Sequence, residues 1–446
     1  MQQAVLEKST PIDTPSDLLR IDYTDQHSFK RQRLRDKFRV QVPLILLVTV
    51  VAQWSVAVFG YGITGLPSIL TNSVLTVVLV TVASLFNYRR LRLFPGSRRL
   101  TFLVPSFALP WAVAVAVLLW MRPDYSIVFL GVGAVVSFAA SWLASAMTRR
   151  ANSAPLYVIP SMRTKAMIAE LPGLDHRICE DPSEITDTNM PIVADLHGSF
   201  SEGWERALAQ AAMNGSTIYH IKQVSESLTG RVRIDHLSEN SFGTLRPNTL
   251  YFQIKGLLDR AVAAVLLVPA LPVLALAALA IKIDSPGPVI FRQKRIGFRA
   301  HPFTVFKLRT MRSDPPGKDE REAAITLVND PRITRIGKFL RDTRIDELPQ
   351  LINVVRGELS LIGPRPEAEP LSRWYDRQIE FYAYRHVVKP GITGWAQVNQ
   401  GHVASDAAVH RKLQYDFYYI KHFSLWLDTL IALKTIWVMF FRKGAK

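Results

Sequence analysis

Residues 41–88 are forty-eight consecutive positions without a charged side chain. The run is too long for one ordinary membrane span, which needs roughly 20 residues. It divides at Gly60–Pro67 into segments at 42–61 and 68–87. A second pair follows at 101–121 and 125–147, separated by a short turn with Arg122, Pro123 and Asp124. A buried helix in a soluble core is the alternative for any one segment, but four in series predict a transmembrane helical bundle over 41–148.

The chain has 446 residues and a formal net charge of +17. In a soluble protein that balance would suggest nucleic acid; here the positions of the charges point to a membrane, and no nucleic-acid partner is expected. Lys30, Arg31, Arg33, Arg35, Lys37 and Arg39 precede the first apolar segment. Arg89, Arg90, Arg92, Arg98 and Arg99 separate the second from the third, and Arg149 and Arg150 follow the fourth. Cationic loops stay on the cytoplasmic side of a bilayer. The 1–40 basic tail, the 89–99 loop and everything after 147 are therefore expected in the cytoplasm. The first forty residues lack the pattern of a cleaved signal. Gln53 and Asn72 read as contacts within the bundle. The single cysteine, Cys179, excludes an intrachain disulfide and a thiolate metal cluster and reads as an incidental buried thiol.

Residues 150–245 alternate strand-like stretches (156–159, 191–196, 216–221) with helical ones (164–171, 202–213), which predicts a small cytosolic α/β domain. The turn after the first strand, PSMRTK, lacks a glycine-rich phosphate fingerprint, so a structural or regulatory role is favoured over nucleotide binding. Residues 240–248 read as a connector.

A fifth apolar run, AVAAVLLVPALPVLALAALAI, fills 261–281. Its length alone predicts another crossing. Crossing would export a region that, over 251–446, carries 30 Lys or Arg against 18 Asp or Glu. Pro269 and Pro272 remove backbone donors and strain a straight helix. They predict a re-entrant helix–break–helix with both ends cytoplasmic; a kinked full span is the alternative.

The chemistry-bearing stretch is 329–366. Arg332, Arg335, Lys338, Arg341 and Arg344 can surround an anion, and Asp346 and Glu347 lie among them. An Asp-Glu pair alone is a weak signal and usually a solvated helix face. Between basic clusters it suggests Asp346 as a nucleophile on phosphorus and Glu347 as a carboxylate holding Mg²⁺. Adjacent helical residues point roughly 100° apart, so separate roles suit them better than a shared proton. In GPRP, 363–366, Arg365 offers a planar donor fork, with a structural proline turn as the alternative. In HVVKPGITGWAQVNQG, 386–401, Lys389 is a candidate for anionic substrate. Trp395 and Gln397 are candidates for a sugar or nucleotide pocket, and Trp395 reads equally as an interfacial anchor. The segment 424–441 is expected to lie on the membrane surface, because Asp428 and Lys434 would make a sixth span costly.

Five motifs recur together: DSPGPVIFRQKRIG at 284–297, FTVFKLRTM at 303–311, NDPRITRIGKFLR at 329–341, DELPQLINVVRGELSLIGPRP at 346–366 and KPGITGWAQVN at 389–399. With the proline-broken hairpin they resemble the bacterial monotopic phosphoglycosyl transferase family over 251–446. The four preceding spans and the α/β domain resemble its large polyprenyl-phosphate hexose-1-phosphate transferase subgroup. The resemblance implies a monotopic, helix-rich catalytic domain with the re-entrant hairpin at 261–281. It further implies a UDP-sugar donor, a polyprenyl (undecaprenyl) phosphate acceptor, membrane lipid contact, Mg²⁺ and a homodimer. The implied setting is the cytoplasmic face of the bacterial inner membrane, at the first step of exopolysaccharide, capsule or O-antigen assembly. It assigns Asp346 as nucleophile, Glu347 as the Mg²⁺-associated carboxylate, and Arg341 and Arg365 to phosphate; Lys307 and Arg309 of FTVFKLRTM join them as candidate substrate contacts. The VPALP spelling departs from the Ser-Pro form of some small members, and Gln400 departs from a frequent VNG ending. UDP-glucose is slightly preferred as donor over UDP-galactose. A conventional UDP-releasing glycosyltransferase and a non-catalytic membrane scaffold are the alternatives.

Overall fold

The computed structural model describes residues 38–62, 67–91, 103–150, 156–171, 174–185, 191–233, 249–312, 330–400 and 406–441. The basic tail up to residue 37, the loop 92–102 and the connector lie outside them. The chain forms two compact units, 1–230 and 231–446.

The first unit begins with four helices: Phe38–Ser55, continued by a π-helical turn Val56–Gly60, then Ser68–Leu91, Leu103–Met121 and Ile127–Arg150. All four are long and apolar enough to cross a membrane, with mean hydropathy between 2.0 and 2.2. They coincide with the four predicted segments. Gln53 Nε2 donates to the Phe129 carbonyl at 2.9 Å, and Asn72 Nδ2 donates to the Asp124 carbonyl at 3.0 Å. The first bond ties helix to helix within the bundle, where lipid offers an amide no partner, and the second ties the second helix to the turn before the fourth. Arg89 and Arg90 close the second helix. Their charge places that end, and the soluble parts, on the cytoplasmic face.

The same unit carries a four-stranded parallel sheet. Its strands are β1 (Leu156–Val158), β2 (His176–Ile178), β3 (Ile192–Ala194) and β4 (Ile218–His220), in the order β2-β1-β3-β4. Successive strand residues point to opposite faces, so β1 feeds two cores. Leu156 and Val158 join Met167, Val193 and Val224 on one face; Tyr157 and Ile159 join Ile192, Leu208 and Cys179 on the other. Cys179 is fully buried, and burial, aided by Glu184, pushes its thiol up to about 11. It is a packing residue, without thiolate character.

The second unit opens with one helix, Thr249–Asp284, the fifth of membrane length, with mean hydropathy 2.6. Helical conformation runs through Pro269 and Pro272, so the expected break does not appear as an interruption. Each proline deletes one donor, and the flanking turns keep the remaining bonds. Ala263 and Ala270 lie against Leu351, Val354 and Leu359; Ala277 and Ile281 lie against Leu308 and Leu340. Small residues seven apart make one stripe that lets the helix approach closely, while Val265, Val268, Leu276 and Leu279 are exposed. An antiparallel hairpin follows, β5 (Ile290–Ile296) and β6 (Pro302–Leu308). A parallel pair comes later, β7 (Ser360–Ile362) with β8 (Gly391–Thr393).

The last helix, Leu425–Phe441, buries Leu427, Leu430 and Ile431 and exposes Ile436, Trp437 and Met439. Asp428 accepts from Tyr419 Oη at 2.8 Å and lies 2.9 Å from Lys255 Nζ. The carboxylate that made a sixth span costly thus anchors this helix to the core. Trp395 is buried, stacked on Tyr418 at 5.6 Å with Lys434 Nζ 4.5 Å from its centroid. Sequestered in this way, it serves the core and is neither an interfacial anchor nor a pocket wall.

Candidate active site

Asp346 and Glu347 sit in a single 3₁₀ turn, Ile345–Glu347, entered through Arg344 at φ 60°. A non-glycine residue in the left-handed region is held there by its surroundings at some cost. Here it reverses the chain after the helix Arg335–Asp342 and turns both carboxylates inward. Pro349 then leads into the helix Gln350–Arg356, where its missing donor is tolerated.

Asn353 fastens that helix to β6. Its Oδ1 accepts from the Phe306 amide at 3.2 Å, and its Nδ2 donates to the Thr304 carbonyl and to Glu358 Oε2, both at 2.7 Å. The bonds fix where β6 stands, so that Lys307 meets Glu347. Asn353→Leu leaves those strand groups unpaired in a fully buried place. The expected loss is about 2–4 kcal/mol of unfolding free energy, read by chemical denaturation.

Arg365 is placed by backbone contact between two glycine-bearing turns. The Gly363 amide donates to the Thr393 carbonyl at 2.9 Å, and the Gly391 amide donates to the Pro364 carbonyl at 2.9 Å. A Cβ on Gly391 would collide with the Gly363 backbone. Arg365 Nη2 thereby reaches Glu347 Oε1 at 2.7 Å. Lys307 Nζ reaches the same oxygen at 3.2 Å and Arg344 Nη1 approaches it at 3.6 Å. Burial alone would raise the Glu347 pKa; Arg365 and then Lys307 outweigh it and hold the carboxyl well below its usual range. Glu347 in turn raises Arg365. Lys307 is lowered to about 8, by burial first and by Arg365 next, with Glu347 opposing.

Asp346 has the opposite environment. It is 7% exposed, and its Oδ1 is buried without a hydrogen-bond partner among the described residues. Burial, then the Glu347 charge, pushes its pKa up; Lys307, Arg344 and Arg341 pull the other way. Two neighbouring carboxyls are thus driven apart in acidity: one held ionised by its cations, the other made less acidic. Adjacent groups with separated acidities are the pattern of divided chemical roles.

Not every candidate residue comes here. Arg341 faces Asp346 electrostatically and donates from Nε to Thr310 Oγ1 at 2.8 Å. Arg309 instead donates to the Ser285 carbonyl at 2.7 Å and to Ser285 Oγ at 3.0 Å, pinning the turn that contains Gly287. Lys389 lies by the long helix, among Arg260, Asp259 and Lys255. Pro269 and Pro272 are within that helix. A buried ionic frame behind Arg365 was not anticipated. Arg385 donates to the Arg365 carbonyl and to Asp416 Oδ2, both at 2.8 Å, and Glu367 pairs with Lys412 and Arg385. Lys412 and Arg385 hold Glu367 at about 2 against the effect of burial. Only the acidic letters after GPRP hint at this frame in the sequence.

For a hard cation the site offers carboxylate oxygens of Asp346 and Glu347. Elsewhere, Asp195, His197 and His220 bring three ligand atoms within 4.8 Å of one another and are able to coordinate a metal ion.

The family model described as bacterial sugar transferase matches residues 250–442, the segment holding all these catalytic candidates. A UDP-N-acetylgalactosamine-undecaprenyl-phosphate N-acetylgalactosaminephosphotransferase of Aeromonas hydrophila is 40% identical over 361 residues, 80% of this chain and 84% of that one. A UDP-glucose:undecaprenyl-phosphate glucose-1-phosphate transferase of Escherichia coli (strain K12) is 43% identical over 189 residues, 42% of this chain and 40% of the relative. A UDP-galactose-lipid carrier transferase of Erwinia amylovora is 39% identical over 187 residues, 39% of this chain and 38% of its own. The chain belongs to the bacterial sugar transferase family, the phosphoglycosyl transferases, including their undecaprenyl-phosphate sugar-1-phosphate transferase subgroup.

Proposed function

We propose that the chain transfers a sugar 1-phosphate from a UDP-sugar to undecaprenyl phosphate at the cytoplasmic face of the inner membrane, releasing UMP and starting assembly of an exported polysaccharide. The observation that carries this reading is the buried Asp346 carboxylate, one oxygen without a partner among the described residues, held beside the cation-locked Glu347. Asp346 attacks the β-phosphorus. A carboxylate–phosphorus bond forms, the bond to the α-phosphate side breaks, and UMP leaves with the electron pair. An oxygen of the lipid phosphate then attacks the same phosphorus and the Asp346 carboxylate departs. The sugar–oxygen bond stays intact throughout. The gain comes from a covalent intermediate and from charge positioned in advance. Arg341 and Arg365 are assigned to phosphate oxygens, and Lys307 keeps Glu347 ionised and oriented. Arg309 holds the turn at 285–287, and Lys389 lies beside Lys255, Asp259 and Arg260 of the long helix.

Mg²⁺ fits this donor set. The cations around Glu347 all engage Oε1, which leaves Oε2 for a metal, and Asp346 Oδ1 is an orphaned hard oxygen. When bound, the ion would neutralise diphosphate charge that otherwise repels the nucleophile.

The 261–281 segment is proposed to enter the membrane and return, with Pro269 and Pro272 at its bend. Support comes from the alanine stripe, which lies against the catalytic core from Ala263 to Ile281. Such contact spans about 27 Å of helix, and a full crossing would drag that core into hydrocarbon. A homodimer is proposed from the resemblance to large members of the family, and mass measurement in lipid nanodiscs checks it.

The deciding experiment offers purified enzyme Mg²⁺, undecaprenyl phosphate and a panel of UDP-N-acetylgalactosamine, UDP-glucose and UDP-galactose. UDP-N-acetylgalactosamine is expected to be the best donor, because the relative named for it matches beyond the catalytic segment. UMP and lipid-diphosphate-sugar should appear in equal amounts. Release of UDP instead would replace this reading with ordinary glycosyl transfer.

A further inference from the structure

The cluster at the carboxyl ends of β3 and β4 serves no step of the proposed reaction. Ala194 and His220 are paired in register at those strand ends. Asp195 is the next residue after β3. The Gly198 amide donates to the Asp195 carbonyl at 2.8 Å, closing a tight turn that folds His197 back over the carboxylate. The two imidazoles meet edge to face with centroids 4.5 Å apart.

Three lone-pair donors converge there. Asp195 is 7% exposed, and its Oδ1 is buried without a hydrogen-bond partner among the described residues. His220 Nε2 lies 3.7 Å from that oxygen. His197 Nδ1 lies 2.5 Å from His220 Nε2, closer than a usual N–H···N bond. A proton can satisfy the two nitrogens, but it leaves the carboxylate oxygen unpaired. One cation among the three satisfies all of them. The other carboxylate oxygen, Oδ2, faces Arg163 Nη1 at 3.6 Å, an outer contact that orients the ligand without occupying Oδ1.

We propose that Asp195, His197 and His220 form a three-ligand site for a first-row divalent transition metal, with Zn²⁺ the reference ion, distinct from the oxygen site at Asp346 and Glu347. Two imidazoles and one carboxylate suit Zn²⁺, Co²⁺ or Ni²⁺, whereas Mg²⁺ takes oxygen ligands and sheds water reluctantly. Three protein ligands leave a fourth tetrahedral position for water or another small ligand. The exposure of His197 gives the ion a way in.

Metal binding carries a local cost that also provides a signature. His220 Nδ1 accepts from the Lys222 amide at 2.9 Å and caps the helix Ile221–Thr229. With metal on Nε2, the neutral ring carries its proton on Nδ1, which then donates instead of accepts. The cap bond is therefore exchanged for metal bonds, and the Lys222 amide loses protection.

The test uses the full-length enzyme in detergent, freed of any histidine tag and stripped with EDTA. Titration with Co²⁺ should give visible d–d bands of tetrahedral intensity at one ion per chain, displaced by Zn²⁺ and unaffected by millimolar Mg²⁺. His197→Gln and Asp195→Asn should each weaken binding at least tenfold, and hydrogen exchange at Lys222 should accelerate on loading. Absence of Co²⁺ binding by the stripped wild type at micromolar concentrations overturns the proposal, as does unchanged affinity in His197→Gln. Binding with Lys222 exchange unaltered removes His220 from the ligand set and overturns the three-ligand site. His197 is exposed, so its variant separates ligand loss from misfolding.

Discussion

Asp346→Asn is expected to abolish turnover while making the protein more stable. The amide has nearly the shape of the carboxyl but cannot form an acyl phosphate. UMP release and labelling of the chain by a phosphosugar should fall together, by at least about 10³-fold. The stability gain follows from the sign of the pKa shift. Burial and the Glu347 charge raise Asp346 above its ordinary value of 3.8. At neutral pH the unfolded chain ionises this group freely, whereas the folded chain ionises it at a cost. That cost disappears as pH falls below 3.8 and both states become protonated. The variant should therefore be more stable than wild type at pH 7, and the gain should shrink in acid. A catalytic group kept under strain by its neighbours predicts this exchange of stability for activity. Full turnover by the variant, with membrane insertion verified, removes Asp346 as nucleophile. Lost turnover without the stability gain removes the account of why it reacts.

Much of this arrangement could be read from the residues, and the failures have definite causes. The helix Glu202–Met213 has the predicted bounds because its apolar positions recur at helical spacing. β2, His176–Ile178, escaped notice because it is a three-residue edge strand whose side chains are mostly exposed, leaving no alternation to read. Lys307 and Arg309 look equivalent, two residues apart on a strand and so on one face. The strand ends at Leu308, however, and Arg309 turns toward Ser285. Lys389 precedes the proline and glycine that set the 391–393 strand, and its own partners lie more than a hundred residues earlier. The frame of Glu367, Arg385, Lys412 and Asp416 joins residues scattered over some fifty positions, and no local pattern foretells such a meeting. The carboxylate pair is legible because its setting is local: two carboxylates in one turn between cations. Its orientation is not, because distant strands and turns provide it.

Glu347→Gln tests that orientation and is expected to be the more destructive change. Glutamine fills the same space but removes the carboxylate charge on which Lys307, Arg344 and Arg365 converge. Lys307 and Arg365 are each at least four-fifths buried at the side chain, so water cannot replace the lost partner. Breaking one side of a buried ion cluster costs about 3–5 kcal/mol. The pH dependence identifies the cause. Glu347 is depressed below its ordinary 4.5, so it stabilises the wild type fully above that pH and loses its contribution as pH falls toward the depressed value. The glutamine variant should lack that acid-sensitive component, and chemical denaturation between pH 3 and 7 should show the two stabilities converging in acid. Lys307, at about 8 in the wild type, would lose the charge that opposes its neutralisation. The alkaline limb of any residual activity should consequently move below pH 8. Convergence in acid without a shift of that limb would leave Glu347 a fold-stabilising ion with no hand in setting the site. A shifted limb together with altered Mg²⁺ dependence is expected if one carboxylate both gathers the cations and helps hold the metal.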